Sequence, residues 1–419
     1  MRLVAGALLM AVGALRTCAL RLGSRPPSLA TRTLVTAKSA VADAPTSRFI
    51  TGHPDNNVTP YIANLVGRDL HKTKNHPLNI IKERIEAYFA TLDTDFELFD
   101  GEDPVVTATQ CFDDLNIPPE HPGRSKSDTY YLTDELLLRT HTSAHQSEHL
   151  RGGHEAFLCT GDVYRRDEID ASHFPAFHQM EGVKLFDEAE LGDDLVLGRE
   201  AWLESAGVAA VGADLKRTLE GMIRAVFDDP DLETRWRDDF FPFTEPSFEL
   251  DVFYQGEWLE VLGCGVIHSD VLARCGLEKR KGWAFGLGLE RLAMVLFSIP
   301  DIRLFWTDDE RFHKQFAKGG VVTFKPYSKY PPVYKDIAFW CPEAYEENDF
   351  NELARSVAGE LVERVENIDT FTNPKTGKTS NCYRITYRSM DRSLTDVEIN
   401  ALQDSLRDEA AAALSVELR

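Results

Sequence analysis

The chain has 419 residues, 43% of them hydrophobic, and a formal net charge of −22. That length supports two or three domains with full cores. The charge excludes a uniformly basic nucleic-acid coat; any RNA partner has to be met by local basic surfaces, with an affinity that falls steeply with salt. Seven cysteines, an odd number without a CxxC pair, give no disulfide framework and indicate reduced thiols.

Residues 1–42 differ in character from the rest. Arg2, Arg16, Arg21, Arg25, Arg32 and Lys38 occur there, and the first acidic residue is Asp43. The apolar run from Leu3 to Leu15 is too short to span a bilayer, and arginines recur beyond it. The segment reads as an organellar transit peptide, mitochondrial first and plastid second, rather than a secretory signal.

The folded region opens near Pro54. Ile80, Ile81, Ile85 and Phe89 fall on one side of a helix predicted over Pro77 to Leu92. Asp113 to Tyr131 is a long loop rich in Pro, Asp and Ser, a type that is usually functional or mobile. A second helix is predicted from Ser143 towards Leu150.

Gly161 to Phe186, GDVYRRDEIDASHFPAFHQMEGVKLF, reads as two strands joined by a loop. Strand side chains alternate, so Val163, Arg165 and Asp167 share a face in the first strand, and Phe177, Gln179 and Glu181 share one in the second. A cation, a ring, an amide and two carboxylates thus converge on one hairpin surface. That set could hold a nucleotide, with a guanidinium for phosphate, a ring for adenine, and carboxylates for amines or a metal. The plain alternative is a half-exposed hairpin, which would place Thr, Lys or Ser at those positions.

Charged amphipathic segments follow over Glu188 to Phe227, then strands over Phe248 to Phe253 and Glu257 to Leu262. Strands gathered around a site with helices to one side predict a mainly antiparallel sheet in an α+β domain. Gly282 to Ile299, GWAFGLGLERLAMVLFSI, predicts a short strand, a Gly-x-Gly turn and a helix whose Leu289, Leu292, Ala293 and Leu296 face inward. Pro300 stops that helix, and Arg291 lies in its first turn. The Gly-x-Gly alone is weak, since neither a Rossmann nor a P-loop signature accompanies it.

After Thr307 the character shifts. The order strand (Lys335 to Trp340), helix (Asp349 to Glu363), strand (Ile368 to Thr372), strand (Cys382 to Arg388), helix (Thr395 to Leu414) and a last short strand is a βαββαβ, ferredoxin-like pattern. Lys325, Tyr327, Lys329 and Tyr330, then Lys375, Lys378, Arg384, Tyr387 and Arg388, mix basic and aromatic groups as RNA contact requires. An ordinary sheet face with solvated lysines is the alternative.

The hairpin and the Gly-x-Gly helix resemble motifs 2 and 3 of class II aminoacyl-tRNA synthetases. Six words in order narrow the resemblance to the phenylalanyl-tRNA synthetases of single-chain organellar (mitochondrial) type: HTSAHQ from His141, YRRDEID from Tyr164, FHQMEG from Phe177, FFPFTEPS from Phe240, EWLEVLGCG from Glu257 and AFGLGLERLAM from Ala284. It extends from about Asn56 to the C-terminus. The resemblance implies a transit peptide at 1–42, a class II catalytic domain at 43–307, a linker at 308–324 and a ferredoxin-fold anticodon-binding domain at 325–419. The two glycines between Thr307 and Lys325 would permit a hinge.

The activity implied is ATP-dependent attachment of phenylalanine to tRNA(Phe) through a phenylalanyl-adenylate, in organellar translation. The partners implied are tRNA(Phe), phenylalanine and ATP with Mg2+ as substrate. No tightly bound cofactor, no structural metal and no membrane are expected, and the protein is expected to be a monomer in the mitochondrial matrix or a plastid. Arg165 would hold the α-phosphate, Asp167 the adenine amine (glutamate is commoner there in class II), and Phe177 and Arg291 the two faces of adenine. Glu260 is the carboxylate expected near ATP and magnesium, and Arg165, Glu260 and Arg291 are the expected catalytic groups. For phenylalanine, the word Ser143, Ala144, His145, Gln146 and the word Gln179, Met180, Glu181 would hold the polar end. The loop Ser172, His173, Phe174 would close over it. Phe241 and Phe243 would pack against the substrate ring, and Ala284 and Phe285 would form the floor, with Ala284 setting the space at the para position. Lys325, Lys329, Lys375, Lys378, Arg384 and Arg388 are the expected tRNA contacts. His141, His145 and His149 recur every four residues, but no fourth ligand accompanies them.

Two other readings compete. One is a different adenylating ligase on the same fold, against which the FFPFTEPS slot and the C-terminal domain count. The other is a catalytically inactive RNA-binding paralogue, against which intact Arg165, Glu181, Glu260 and Arg291 count.

Overall fold

Strand-forming residues with glycines at close-approach points build one large sheet. The computed structural model describes residues 48–191, 202–326, 330–389 and 392–419; the basic leader 1–42, Tyr327 and Lys329 lie outside them. The strands are β1 (Glu97–Phe99), β2 (Val105–Thr107), β3 (Leu136–Leu138), β4 (Ala156–Tyr164), β5 (Ala176–Phe186), β6 (Thr234–Phe241), β7 (Thr244–Tyr254), β8 (Glu257–Ile267) and β9 (Lys281–Gly288). Seven of them form a sheet in the order β1-β4-β5-β9-β8-β7-β6, while β2 and β3 pair separately. All pairings in the large sheet are antiparallel except β1 with β4. The expected class, an α+β domain on a mainly antiparallel sheet, is the one found.

Three helices cover one face: α1 (Pro77–Phe89), α2 (Ala206–Phe227) and α3 (Leu289–Phe297). The first begins because Pro77 occupies its first turn and the His76 ring accepts from the Leu78 N–H. Its Ile80, Ile81, Ile85 and Phe89 are buried, as their spacing predicted. Truncating Ile81 or Ile85 to alanine removes about 2–5 kcal/mol of packing. The third helix buries Leu289, Leu292, Ala293 and Leu296 and stops at Ser298, whose left-handed backbone caps it two residues before Pro300.

The C-terminal residues form β10 (Val333–Trp340), α5 (Glu347–Ala358), β11 (Val362–Thr372), β12 (Thr379–Tyr387), α6 (Asp396–Ala413) and β13 (Glu417–Leu418), preceded by α4 (Glu310–Phe316). Their strand order, β11-β12-β10-β13, is that of two split β-α-β units, the ferredoxin-like arrangement. Phe339, Phe350, Tyr383, Ile385, Ile399 and Leu406 make its core. The helix predicted to run on to Glu363 ends at Ala358, because Gly359 takes a positive φ of 55° and ends the turn. Val362 already belongs to the next strand.

The two glycines of the connecting segment do not sit in a free linker. Gly319 and Gly320, both at positive φ, return the chain so that Phe324 packs on Phe312 with ring centroids 5.8 Å apart. Phe312, Phe316 and Phe324 are all buried in the core beneath the large sheet. A hinge at these glycines would have to expel Phe324, so any freedom of the chain begins beyond it.

Helix α5 lies against the loop joining β4 to β5. Tyr130 and Thr59 donate to the Glu352 carboxylate at 2.6 and 3.0 Å. Arg166 pairs with Asp349 at 3.0 Å, and the Ile169 side chain joins the C-terminal core. Among the described residues no helix is long and apolar enough to cross a membrane.

Candidate active site

The register of the large sheet decides which residues share its uncovered face. Gly161 pairs with Gln179 and Cys159 with Glu181; Gln179 and Glu181 then face Gly288 and Gly286, and Val183 faces Ala284. Across the next pair, Gly286 faces Gly263 and Ala284 faces Gly265. The middle of this face is therefore bare main chain. A Cβ added at Gly286 or Gly288 would meet no atom within 4 Å, so open space lies above both. At Gly161 it would lie 2.1 Å from the Arg139 guanidinium, and at Gly263 2.7 Å from the Phe241 ring. Those two glycines exist to let a side chain cross the sheet, whereas the first two leave room for a ligand.

A cavity of about 600 Å³ stands over this floor, within the usual range for small-molecule sites. Of the expected site residues, Ser143, Arg165, Asp167, Gln179, Phe241, Phe243, Glu260, Ala284 and Phe285 line it. Arg165 and Asp167 lie just beyond the end of β4 rather than within it. The Arg165 guanidinium sits 5.1 Å over the Phe177 ring and donates from Nε to the Thr140 carbonyl at 2.9 Å, which leaves its other nitrogens for an anion. Arg291 is exposed in the first turn of α3 and has no ion-pair partner among the described residues.

Glu181 is 1% exposed, and neither carboxylate oxygen has a hydrogen-bond partner within ordinary geometry. Burial pushes its carboxyl up to about 8, with the Ser143 hydroxyl opposing the shift. Gln146 is equally buried, and both its amide atoms are unpartnered. Neither residue lines the cavity itself; Glu181 sits one pairing from its floor, opposite Gly286, and an unpaired buried polar group so placed is costly unless a ligand reaches it.

Several expected residues are placed elsewhere, two of them because of strand alternation. A contiguous word on a strand alternates between faces, so only half of it can reach the cavity. Met180 points into the core opposite Gln179 and Glu181. Phe285 borders the cavity, but its ring turns away and stacks on Phe89 at 5.7 Å, so of this pair Ala284, 5% exposed, brings its side chain to the floor. Ala144 packs in the small cluster under β2 and β3. Phe174 stacks on Trp306 at 5.3 Å instead of closing over a ligand, and Ser172 and His173 are exposed and bonded to Asp170. Phe241 and Phe243 do not alternate along one strand. Phe243 lies in the turn after β6 and its ring stacks on Phe241 at 5.9 Å.

The three spaced histidines go to three partners. His141 Nε2 lies 3.8 Å from the Cys111 thiol, His145 Nε2 accepts from Arg139 at 2.9 Å, and His149 stacks on Phe99 at 3.9 Å. Burial holds all three imidazoles neutral, with those of His141, His145 and His149 lowered to about 3, 2 and 4.

Four contributors escaped the sequence reading. His141 lines the cavity with Nδ1 unpartnered beside Arg165. Glu249 lines it next to Glu260, and Arg237 bridges the pair, contacting Glu249 at 2.5 Å and Glu260 at 3.3 Å. Burial raises the Glu249 carboxyl, and the charges of Glu260 and Asp239 add to the effect. Asn348, from the C-terminal helix α5, also reaches the wall. His141 stood inside a word already singled out; the others needed the register of β7 with β8 or the docking of α5.

Buried polar contacts hold the scaffold rigid. Arg139 donates to Asp162 at 2.9 Å and Tyr164 donates to the same carboxylate at 2.5 Å. Burial pushes Asp162 up, but the Arg139 charge and the Tyr164 hydroxyl outweigh it and keep the group below the usual carboxylate range. Glu290 accepts from the His178 main-chain N–H at 2.8 Å and lies 2.7 Å from His178 Nδ1. That buried contact fixes the first turn of α3, and so the backbone that carries Arg291, against β5.

An antiparallel sheet with a bare glycine floor, a hairpin arginine and a helix-borne arginine defines a class II synthetase core. The model of the class II core domain (F) of tRNA synthetases matches residues 60–204 and 209–316. That of the ferredoxin-fold anticodon-binding domain matches residues 328–419. A chloroplastic/mitochondrial phenylalanine--tRNA ligase of Arabidopsis thaliana is 53% identical over 87% of this chain and 83% of its own length. Mitochondrial phenylalanine--tRNA ligases of Dictyostelium discoideum and Saccharomyces cerevisiae are 48% and 42% identical, covering 87% and 89% of this chain and 90% and 94% of theirs. The chain belongs to the class II aminoacyl-tRNA synthetases and, within them, to the phenylalanine--tRNA ligase family.

Proposed function

We propose that this protein attaches phenylalanine to tRNA(Phe) at the expense of ATP, through a phenylalanyl-adenylate, as a monomer serving organellar translation. The mitochondrial matrix is the first location and a plastid the second. The observation that carries the reading is Glu181, a buried carboxylate with no cation beside it among the described residues and only the Ser143 hydroxyl near it, at the edge of a glycine floor. An amino-acid ammonium there supplies the missing hydrogen bonds and charge.

The first step needs no covalent enzyme intermediate. The phenylalanine carboxylate attacks the α-phosphorus, an O–P bond forms, and pyrophosphate leaves with the electron pair of the broken bond. Catalysis is positioning and charge neutralisation. Glu181, Gln179 and Ser143, with Gln146 and His145 behind them, hold the ammonium end. Phe241 and Phe243 form the slot for the ring, with Ala284 beneath it. Arg165 meets the α-phosphate, Phe177 and Arg291 take the adenine faces, and Asp167 accepts from its amine. ATP arrives with magnesium as part of the substrate; Glu249 and Glu260 offer oxygen donors of the kind that ion takes.

Lys325, Lys375, Lys378, Arg384 and Arg388 are assigned to tRNA contact, as is Lys329 from outside the described residues. Arg384 is paired with Asp336 at 2.8 Å, Lys378 with Glu417 at 3.2 Å and Arg388 with Glu363 at 3.0 Å. RNA phosphate has to displace those carboxylates, which makes the contact salt-sensitive.

The test is ATP–pyrophosphate exchange by the purified protein across all twenty amino acids. Strong exchange with phenylalanine and weak exchange with tyrosine is expected. Folded protein with no exchange for any amino acid would overturn the reading in favour of an inactive RNA-binding paralogue.

A further inference from the structure

The cavity over the glycine floor has a neighbour. A second cavity of about 520 Å³ shares with it the wall formed by His121, Phe240, Phe241 and Pro242. Adjacent residues of a regular strand point to opposite faces, yet Phe240 and Phe241 both line both cavities. The cause is a break in register. Asp239 pairs with Ser247 and Phe241 with Thr244, so Phe240 stands at a β-bulge and has no partner of its own. Bulges commonly re-aim a side chain beside an active site.

Phe240 is 75% exposed, more than any other phenylalanine among the exposed large hydrophobic residues. Its neighbour Phe241 is held in place by the Ser247 hydroxyl, which accepts the Phe241 N–H at 3.2 Å. Nothing in this arrangement buries Phe240. A phenyl ring kept in water at the mouth of a nucleotide-handling site is a surface for another flat group.

We propose that Phe240 is the stacking platform for the 3′-terminal nucleoside of the tRNA, and that the second cavity takes the base of that nucleoside while its phosphate stays outside. This rests on the function assigned above, whose second step needs that nucleoside's ribose hydroxyl beside the acyl group in the first cavity. The C-terminal helix closes part of the first cavity through Asn348, whereas the shared wall opens to solvent through Phe240. The second cavity carries Glu245 and Asp270 on either side of His268. Carboxylates repel phosphate, so the contact offered here is to a base face, with Asn116 beside it held by Arg274.

Phe240→Ala and Phe240→Trp would be compared with the unaltered protein in exchange, in tRNA charging, and in binding to tRNA with and without its terminal nucleotide. Phe240→Ala is expected to keep phenylalanine-dependent exchange within about twofold and to lower kcat/KM for tRNA about 10- to 100-fold, the range for loss of one base–aromatic stack. Phe240→Trp should retain most charging. Removing the terminal nucleotide should weaken binding to the unaltered protein and leave Phe240→Ala indifferent. Equal losses in exchange and charging, unchanged charging, or the same truncation penalty in both proteins would each overturn the proposal. Failure of the unaltered protein to exchange would instead overturn the function on which it rests.

Discussion

Arg355 of the C-terminal helix donates to the main-chain carbonyl of Glu168, at 2.8 Å, in the loop that follows Arg165. It also donates to the carbonyl of Asp167 and pairs with buried Glu352 at 3.3 Å. The side chain that anchors the C-terminal domain thus holds the backbone of the residue assigned to adenine. Arg355→Ala leaves Glu352 buried without its guanidinium, a loss of about 3–5 kcal/mol for pairs of this kind. A lower Tm is expected, together with a larger radius of gyration in small-angle scattering. An unchanged radius would mean that the remaining contacts of α5 suffice.

Arg165→Ala should lower phenylalanine-dependent exchange about 10²- to 10³-fold, as removal of one preorganised donor does. Arg165→Lys is expected to rescue little, since an ammonium cannot donate to the Thr140 carbonyl and still present a fork to phosphate. Exchange kinetics on both variants decide this.

Glu181 makes amino-acid binding depend on pH in a definite direction. Burial raises its carboxyl to about 8, so the empty site is protonated at neutral pH and an incoming ammonium drives the proton off. Affinity for phenylalanine should weaken as pH falls below 8, approaching tenfold per unit, and calorimetry in buffers of different ionisation heat should register proton release. Stability has its own sign. Between the ordinary carboxyl value of 4.5 and about 8 the unfolded chain binds fewer protons than the folded one, so this group lowers stability as pH rises through that window. Glu181→Gln should therefore raise Tm towards pH 8, abolish the pH dependence of binding, and weaken phenylalanine recognition.

Ala284 puts a single methyl group on the floor, between glycines on the neighbouring strand and at its own i+2 position. Ala284→Gly should admit para-halogenated phenylalanines, with about a tenfold or greater gain in kcat/KM relative to phenylalanine, the scale of one carbon in a pocket. An unchanged exchange profile with para-chlorophenylalanine would place the para position elsewhere.

The sequence reading was sound where chemistry and period coincided. Gln179 and Glu181 share the bare face because strand alternation demands it, and α3 buries the four residues its spacing marked. It failed where a word was taken whole: Met180 belongs to the opposite face of its strand, and Phe285 borders the cavity while its ring lies on the other side. Ala144 and Phe174 were lost for a related reason, packing beneath the wall they were expected to form. Gly359 was read through, although a glycine at that point is a stop. Glu249 and Asn348 could not be seen at all, because pairing across β7 and β8 and docking of α5 are long-range facts that no local pattern encodes.

The two kinds of glycine in the floor separate foldability from activity. A methyl group at Gly161 or Gly263 must displace Arg139 or Phe241, so alanine there should reduce the yield of soluble protein and its turnover together. At Gly286 and Gly288 the same methyl group enters unoccupied space. Alanine at these two positions should leave abundance and melting behaviour near those of the parent while abolishing exchange. In a deep mutational survey they would stand out as sites where expression tolerates what selection for growth does not.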